Sequence, residues 1–148
     1  MYTKESYNLE FKEEVSKTFL KTVSAYANYN DGDIIFGVDG NGNVVGVKEI
    51  PKEEVLSIEN MINDSLSPVP YFEMISKEVE GKTIIILEVK KGKDTPYYYK
   101  GKAYKRGDTA TIEVDRFELR RLALEGINMH YEDRKSSSQD LRFTILEA

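Results

Sequence analysis

Apolar side chains recur at steps of three and four through Val15, Phe19, Val23, Tyr26 and Ala27, and this spacing predicts a helix over residues 14–28 packed against a core. Just upstream the period is two. Leu9 and Phe11 alternate with Glu10 and Lys12, which reads as a short strand with its apolar side chains inward and its charged pair on the other face. Glu5 does not follow the alternation: in a continuous strand it would face away from Glu10, so only a bend near Tyr7-Asn8 could bring the two together. The breakers Asn28 to Asp33 end the helix. Residues 34–38 then form a nearly all-apolar strand, as expected at a sheet centre, and Gly40-Asn41-Gly42 turns the chain back into a hairpin partner containing Val44, Val45 and Val47.

A second helix begins at Pro51, with Glu53 and Glu54 in its first turn and Val55, Ile58, Ile62 and Leu66 in register, and Ser67-Pro68-Val69-Pro70 stops it. Residues 71–79 and 83–90 read as two strands joined at Glu80-Gly81-Lys82. The segment from Pro96 to Arg106 reads as a hairpin turning at Lys100-Gly101. Asp115, with Glu118 three residues on, opens a last helix whose apolar surface is Phe117, Leu119, Leu122 and Leu124, with Gly126 as its end. Strands and helices mix without strict alternation, which predicts an α+β fold with a mixed, mainly antiparallel sheet covered by helices. One domain is expected over residues 1–126. Residues 127–148 are expected to be a polar linker and an apolar tail, docked on the domain or on a neighbouring subunit, or the start of a downstream module.

Charge changes this picture in one place. The net charge is −5, yet Lys90, Lys91, Lys93, Lys100, Lys102, Lys105 and Arg106 face only Glu88 and Asp94 between residues 88 and 107. Interleaved with Tyr98, Tyr99 and Tyr104, these cations have the composition of a nucleic-acid contact surface, the lysines and Arg106 for phosphates and the tyrosines for stacking on bases. The plain alternative is a strand pair with tyrosines alternately buried and exposed and lysines guarding an edge. The chain has no cysteine, which excludes a disulfide framework and thiolate zinc. Its single histidine, His130, falls in the expected tail without an evident partner. No apolar run approaches a membrane span, and a cytoplasmic location is expected.

Glu5-Ser6-Tyr7-Asn8-Leu9-Glu10-Phe11-Lys12, the Ser24-Ala25-Tyr26-Ala27-Asn28 helix end and the block from Gly32 to Gly46 resemble the Schlafen-type AlbA_2 domain family, formerly divergent AAA-4. Its members include N-terminal domains of many bacterial transcriptional regulators. The resemblance covers nearly all of residues 5–125, with one departure: Asp33 stands where the family has the second glycine of a pair. It implies a DNA-binding or other nucleic-acid-binding domain, and a dimer is the expected oligomer.

The same resemblance carries a second reading. In Schlafen proteins with RNase activity an acidic trio matches Glu5, Glu10 and Asp39, which would hold Mg²⁺ or Mn²⁺, polarise a phosphodiester and activate a water, with Lys12 neutralising charge on the phosphate. Against this stands a solvated strand face at Glu10 and Lys12 and an ordinary turn residue at Asp39. A third reading is an oligomerisation or protein-interaction module. Nucleotide hydrolysis finds no support: Gly81-Lys82-Thr83 ends like a phosphate-binding loop, but Ser76 stands where its first glycine is required and no helix follows.

Overall fold

The computed structural model describes residues 4–137. Two four-stranded sheets share one helix. The first sheet has the order β1-β2-β5-β4, built from β1 (Leu9–Lys12), β2 (Gly32–Phe36), β4 (Phe72–Val79) and β5 (Lys82–Val89). The second has the order β3-β6-β7-β8, built from β3 (Leu66–Ser67), β6 (Tyr98–Tyr99), β7 (Lys102–Arg106) and β8 (Thr111–Glu113). Every pairing is antiparallel except β1 with β2. That parallel pair needs a crossover, and α1 (Leu20–Tyr29), preceded by a single 3₁₀ turn at Lys17–Phe19, supplies it. The expected α+β class with a mixed, mainly antiparallel arrangement is what the chain adopts.

The core sits between the first sheet, α1, α2 (Pro51–Ser65) and the second sheet. Ile34, Phe36, Ile85 and Leu87 of the sheet meet Phe19, Leu20, Val23 and Tyr26 of the first helical segment and Ile58 and Ile62 of α2. The opposite face of the first sheet has a smaller cluster, Phe11, Ile35, Val38, Val44 and Ile84. Period two along β2 thus becomes two apolar faces, which is why that strand is hydrophobic throughout.

Three expectations are corrected. Val44 makes only an isolated bridge to Val38, because both edges of β2 are already taken by β1 and β5. Leu66 leaves the helical register after Ser65 and pairs with Tyr99 instead, so the apolar repeat of α2 ends one turn early. Gly126 does not end the last helix: α3 runs over Arg116–Ser137, straight through the expected domain boundary. A Cβ at Gly126 would lie 2.3 Å from the Thr95 carbonyl oxygen, so glycine there lets the helix press against the loop before β6. The capping reading holds, since the Glu118 amide donates to Asp115 Oδ1 at 2.9 Å. His130 lies on α3, where its ring contacts Asp94. Residues 138–148, including the apolar tail, lie outside the described residues.

Candidate nucleic-acid interface and the carboxylate cluster beside it

The bend needed to bring Glu5 toward Glu10 is present. Ser6 and Leu9 exchange backbone hydrogen bonds around Tyr7-Asn8, and the folded-back chain lets Glu5 Oε2 accept from the Phe11 amide at 2.8 Å on the outer edge of β1. Glu10 and Lys12 share a face, with Lys12 Nζ 3.8 Å from Glu10 Oε2. That face is not solvated. Glu10 is 7% exposed because α1 and the β7–β8 hairpin cover it.

Glu10 is held by an arginine that sequence reasoning assigned to phosphate. Arg106 Nη1 donates to Glu10 Oε1 at 2.5 Å, and the Thr22 hydroxyl donates to the same oxygen at 2.9 Å. Thr111 Oγ1 lies 2.8 Å from the Thr22 hydroxyl and accepts from Arg106 at 3.2 Å. The remaining guanidinium donors go to the carbonyls of Ser6 and Leu9. Arg106 is therefore a buried bolt joining β7 to β1 and not a phosphate contact. Glu10 Oε2 and the Tyr26 hydroxyl are buried without a hydrogen-bond partner. Burial pushes the Tyr26 phenol well above its usual range, with Glu10, Asp33 and Glu5 adding to the rise and Arg106 opposing it.

Asp39 is elsewhere. Glu10 pairs with Ile34 in the parallel register, so Asp39 lies five residues further along, on the order of 16 Å up the strand direction. Its Oδ1 accepts from the amides of Asn41 and Asn43 at 2.9 Å each, closing its own turn. Those backbone donors, Asn43 first, hold its carboxyl below the usual carboxylate range. Among the described residues no three acidic or histidine side chains gather to hold a metal ion. A divalent cation wants about six oxygens. Here Arg106 already supplies the positive charge beside Glu10, Glu5 is spent on a backbone amide, and Asp39 is out of reach, so the trio as placed does not fit Mg²⁺ or Mn²⁺.

The basic hairpin β6–β7 divides into two groups. Tyr99 and Tyr104 are 6% and 7% exposed and belong to the core, so neither offers a free face for a base; Tyr98 is half-buried against Ala103, Val114 and Leu122. Lys102 pairs with Glu113 at 3.7 Å, and Lys105 pairs with Glu118 at 3.4 Å. Lys93 is exposed in the loop before the hairpin. Lys100 sits at the hairpin tip with φ 52°, followed by Gly101 at φ 77°, the left-handed pair that a two-residue turn requires. Its ammonium lies 5.5 Å from the Tyr99 ring centre, the Tyr99 and Tyr104 rings are 6.5 Å apart, and Lys21 of α1 lies 5.7 Å from the Tyr104 ring. The order Lys100, Tyr99, Tyr104, Lys21 thus spans the hairpin and the first turn of α1. Among the described residues neither lysine has a carboxylate partner.

Comparison with known families matches the Schlafen AlbA_2 domain over residues 5–115. The chain belongs to the Schlafen AlbA_2 family. Among solved structures it is similar to the DIP2311 protein of Corynebacterium diphtheriae, with a TM-score of 0.59 and 17% identity over 78% of this chain. Only 23% of that protein's length is spanned. It is also similar to the N-terminal domain of a protein from Nitrosomonas europaea named as related to the ATP-dependent DNA helicase RecG, with a TM-score of 0.57 and 24% identity, covering 76% of this chain and 84% of that domain. At these identities the likeness is one of fold. Comparison with curated proteins gives no match.

Seen as an AlbA_2 domain, the chain assigns its family wording to scaffolding that sequence reasoning passed over. Asn28 is fully buried: its Oδ1 accepts from the Tyr97 amide at 2.6 Å, and its Nδ2 donates to the carbonyls of Tyr97 and Tyr104. Ser24 donates to the Tyr97 carbonyl at 2.7 Å and accepts from the Tyr104 amide. A serine and an asparagine at i and i+4 on an otherwise apolar helix face were the available signal, since buried polar side chains need partners. Asp33, the departure from the glycine pair, causes no crowding. The close approach occurs at Gly32, where a Cβ would lie 2.5 Å from the Tyr26 ring, whereas Asp33 pairs across to Glu88.

Proposed function

We propose that this domain binds nucleic acid through the β6–β7 hairpin and the adjoining turn of α1, and serves as the DNA-binding part of a cytoplasmic transcriptional regulator. The observation that carries the reading is the pair of cations without carboxylate partners, Lys21 and Lys100, set on either side of the Tyr104–Tyr99 pair. Lys102 extends the same surface at the hairpin tip, held loosely by an exposed pair to Glu113. With the tyrosines largely inside the core, they fix the ammonium groups in place and contact to the ligand is made by charge. Such a surface reads phosphates and discriminates sequence poorly by itself. The family and the fold likeness to a RecG-related N-terminal domain support a nucleic-acid role.

Binding of a labelled duplex and of a labelled single strand, measured by anisotropy over a salt series, tests this. Lys21→Gln with Lys100→Gln should lower the slope of log affinity against log salt by about 0.9 per contact on duplex DNA and about 0.7 on a single strand, through lost counterion release. A slope unchanged in the double variant removes this surface from binding.

A further inference from the structure

Helix α3 turns two opposite faces outward and inward. At 100° per residue, Leu122 and Gly126 lie on the side pressed against Thr95 and the second sheet, and both are buried. On the other side lie Phe117, Arg120, Leu124, Ile127 and Tyr131, spaced three and four apart. All five are exposed, Phe117 at 74% and Ile127 at 63%. A surface helix ordinarily puts charge on that face, and an apolar stripe with heptad spacing is the seam of a helix pair.

The order of residues along the seam says which partner fits. In an antiparallel pair of identical helices, the seam positions meet head to tail, so Leu124 of one copy meets Ile127 of the other, and Ile127 meets Leu124. The same register sets Arg120 against Tyr131 at both ends of that aliphatic centre. A guanidinium over a phenol ring is a favourable contact, and the seam is complementary to itself. A parallel pair would instead set Arg120 against Arg120 inside the seam, with nothing opposite to neutralise either. We infer that two copies of this chain associate through antiparallel α3 helices, with Leu124 and Ile127 at the two-fold axis and Arg120 stacked on the partner copy's Tyr131. Such an interface is isologous and closes on itself. It is smaller than the ~800 Å² per partner of a standard interface, so a dimer exchanging with monomer in the micromolar range is expected. The dimer carries two of the basic hairpins.

The 148-residue chain is the material for the test. Sedimentation velocity should show a concentration-dependent dimer that Leu124→Glu abolishes, with circular dichroism unchanged because residue 124 is exposed. The absence of cysteine makes single-cysteine variants clean reporters. Under mild oxidation, a mixture of Arg120→Cys and Tyr131→Cys chains should form a mixed disulfide, while Arg120→Cys alone should not, its two copies being on the order of 16 Å apart along the axis in this register. A monomer at all concentrations up to several hundred micromolar, a dimer that survives Leu124→Glu, or self-linking of Arg120→Cys would overturn the proposal.

Discussion

Arg106 shows how much a single residue's environment can reverse its reading. Its neighbours in sequence are lysines and tyrosines, yet its guanidinium is buried against Glu10, 96 residues away. Removing one partner of a buried pair leaves the other uncompensated. Arg106→Met should therefore cost about 3–5 kcal/mol in urea unfolding, and adding Glu10→Leu to it should recover most of the loss. A loss below about 1 kcal/mol for the single change would mean the pair is not the bolt described here. Asp33 carries the opposite lesson. Its carboxyl is pushed up, first by burial and then by Glu88 across the strand pair. The folded state thus holds this proton more tightly than the unfolded chain does. The contribution is fully present below the unfolded pKa and is lost as pH rises through the folded pKa, so at neutral pH the charge opposes folding. Asp33→Asn should raise stability at pH 7 by a few tenths to about 1 kcal/mol and leave it unchanged in acid. Neither environment was legible locally, because burial and cross-strand partners come from pairings that periodicity does not specify.

At the scale of elements, periodicity identified both early helices, the β4–β5 hairpin and the turn at Lys100-Gly101, because those signals are local and repeat over many residues. It failed at boundaries and at partners. Val44 to Val47 had strand composition, but the edge of β2 they would have joined is occupied by β5, a strand more than forty residues later. Gly126 looked like a helix stop because glycine is costly inside a helix, by about 1 kcal/mol relative to alanine. The cost is accepted because Thr95 occupies the space a Cβ would need, and its hydroxyl donates to the Leu122 carbonyl at 2.7 Å. Helix propensity and packing thus make opposite predictions for Gly126→Ala. A contact of 2.3 Å to a backbone oxygen cannot be relieved by turning a side chain, so overpacking should win and the variant should lose about 1–3 kcal/mol in chemical denaturation. A variant more stable than the parent would show that α3 does not press on the loop before β6.

The whole molecule is two sheets that meet chiefly through one helix. α1 crosses from β1 to β2 in the first sheet, and its polar face is sewn to the second by Ser24 and Asn28, while Thr22 and Arg106 tie the β7–β8 hairpin back to β1. The basic hairpin is therefore positioned by side chains of α1, and Lys21 lies on the same helix one residue before Thr22. This predicts how the molecule comes apart. Asn28→Ala leaves the Tyr97 amide, the shortest of the asparagine's bonds, buried with no partner, and each buried group so stranded costs roughly 1–3 kcal/mol. The first sheet does not depend on those bonds. Amide exchange in the variant should therefore quicken first across Tyr97 to Arg106, while Ile34 to Phe36 and Ile84 to Leu87 keep protection close to the parent's, as expected of separate cooperative units. Nucleic-acid affinity should fall in step with the fraction of molecules whose hairpin is docked, with the salt slope of the remaining binding unchanged, because the phosphate contacts themselves are intact. Uniform acceleration across both sheets would instead mean that the domain unfolds as one unit and that α1 is no hinge between its halves.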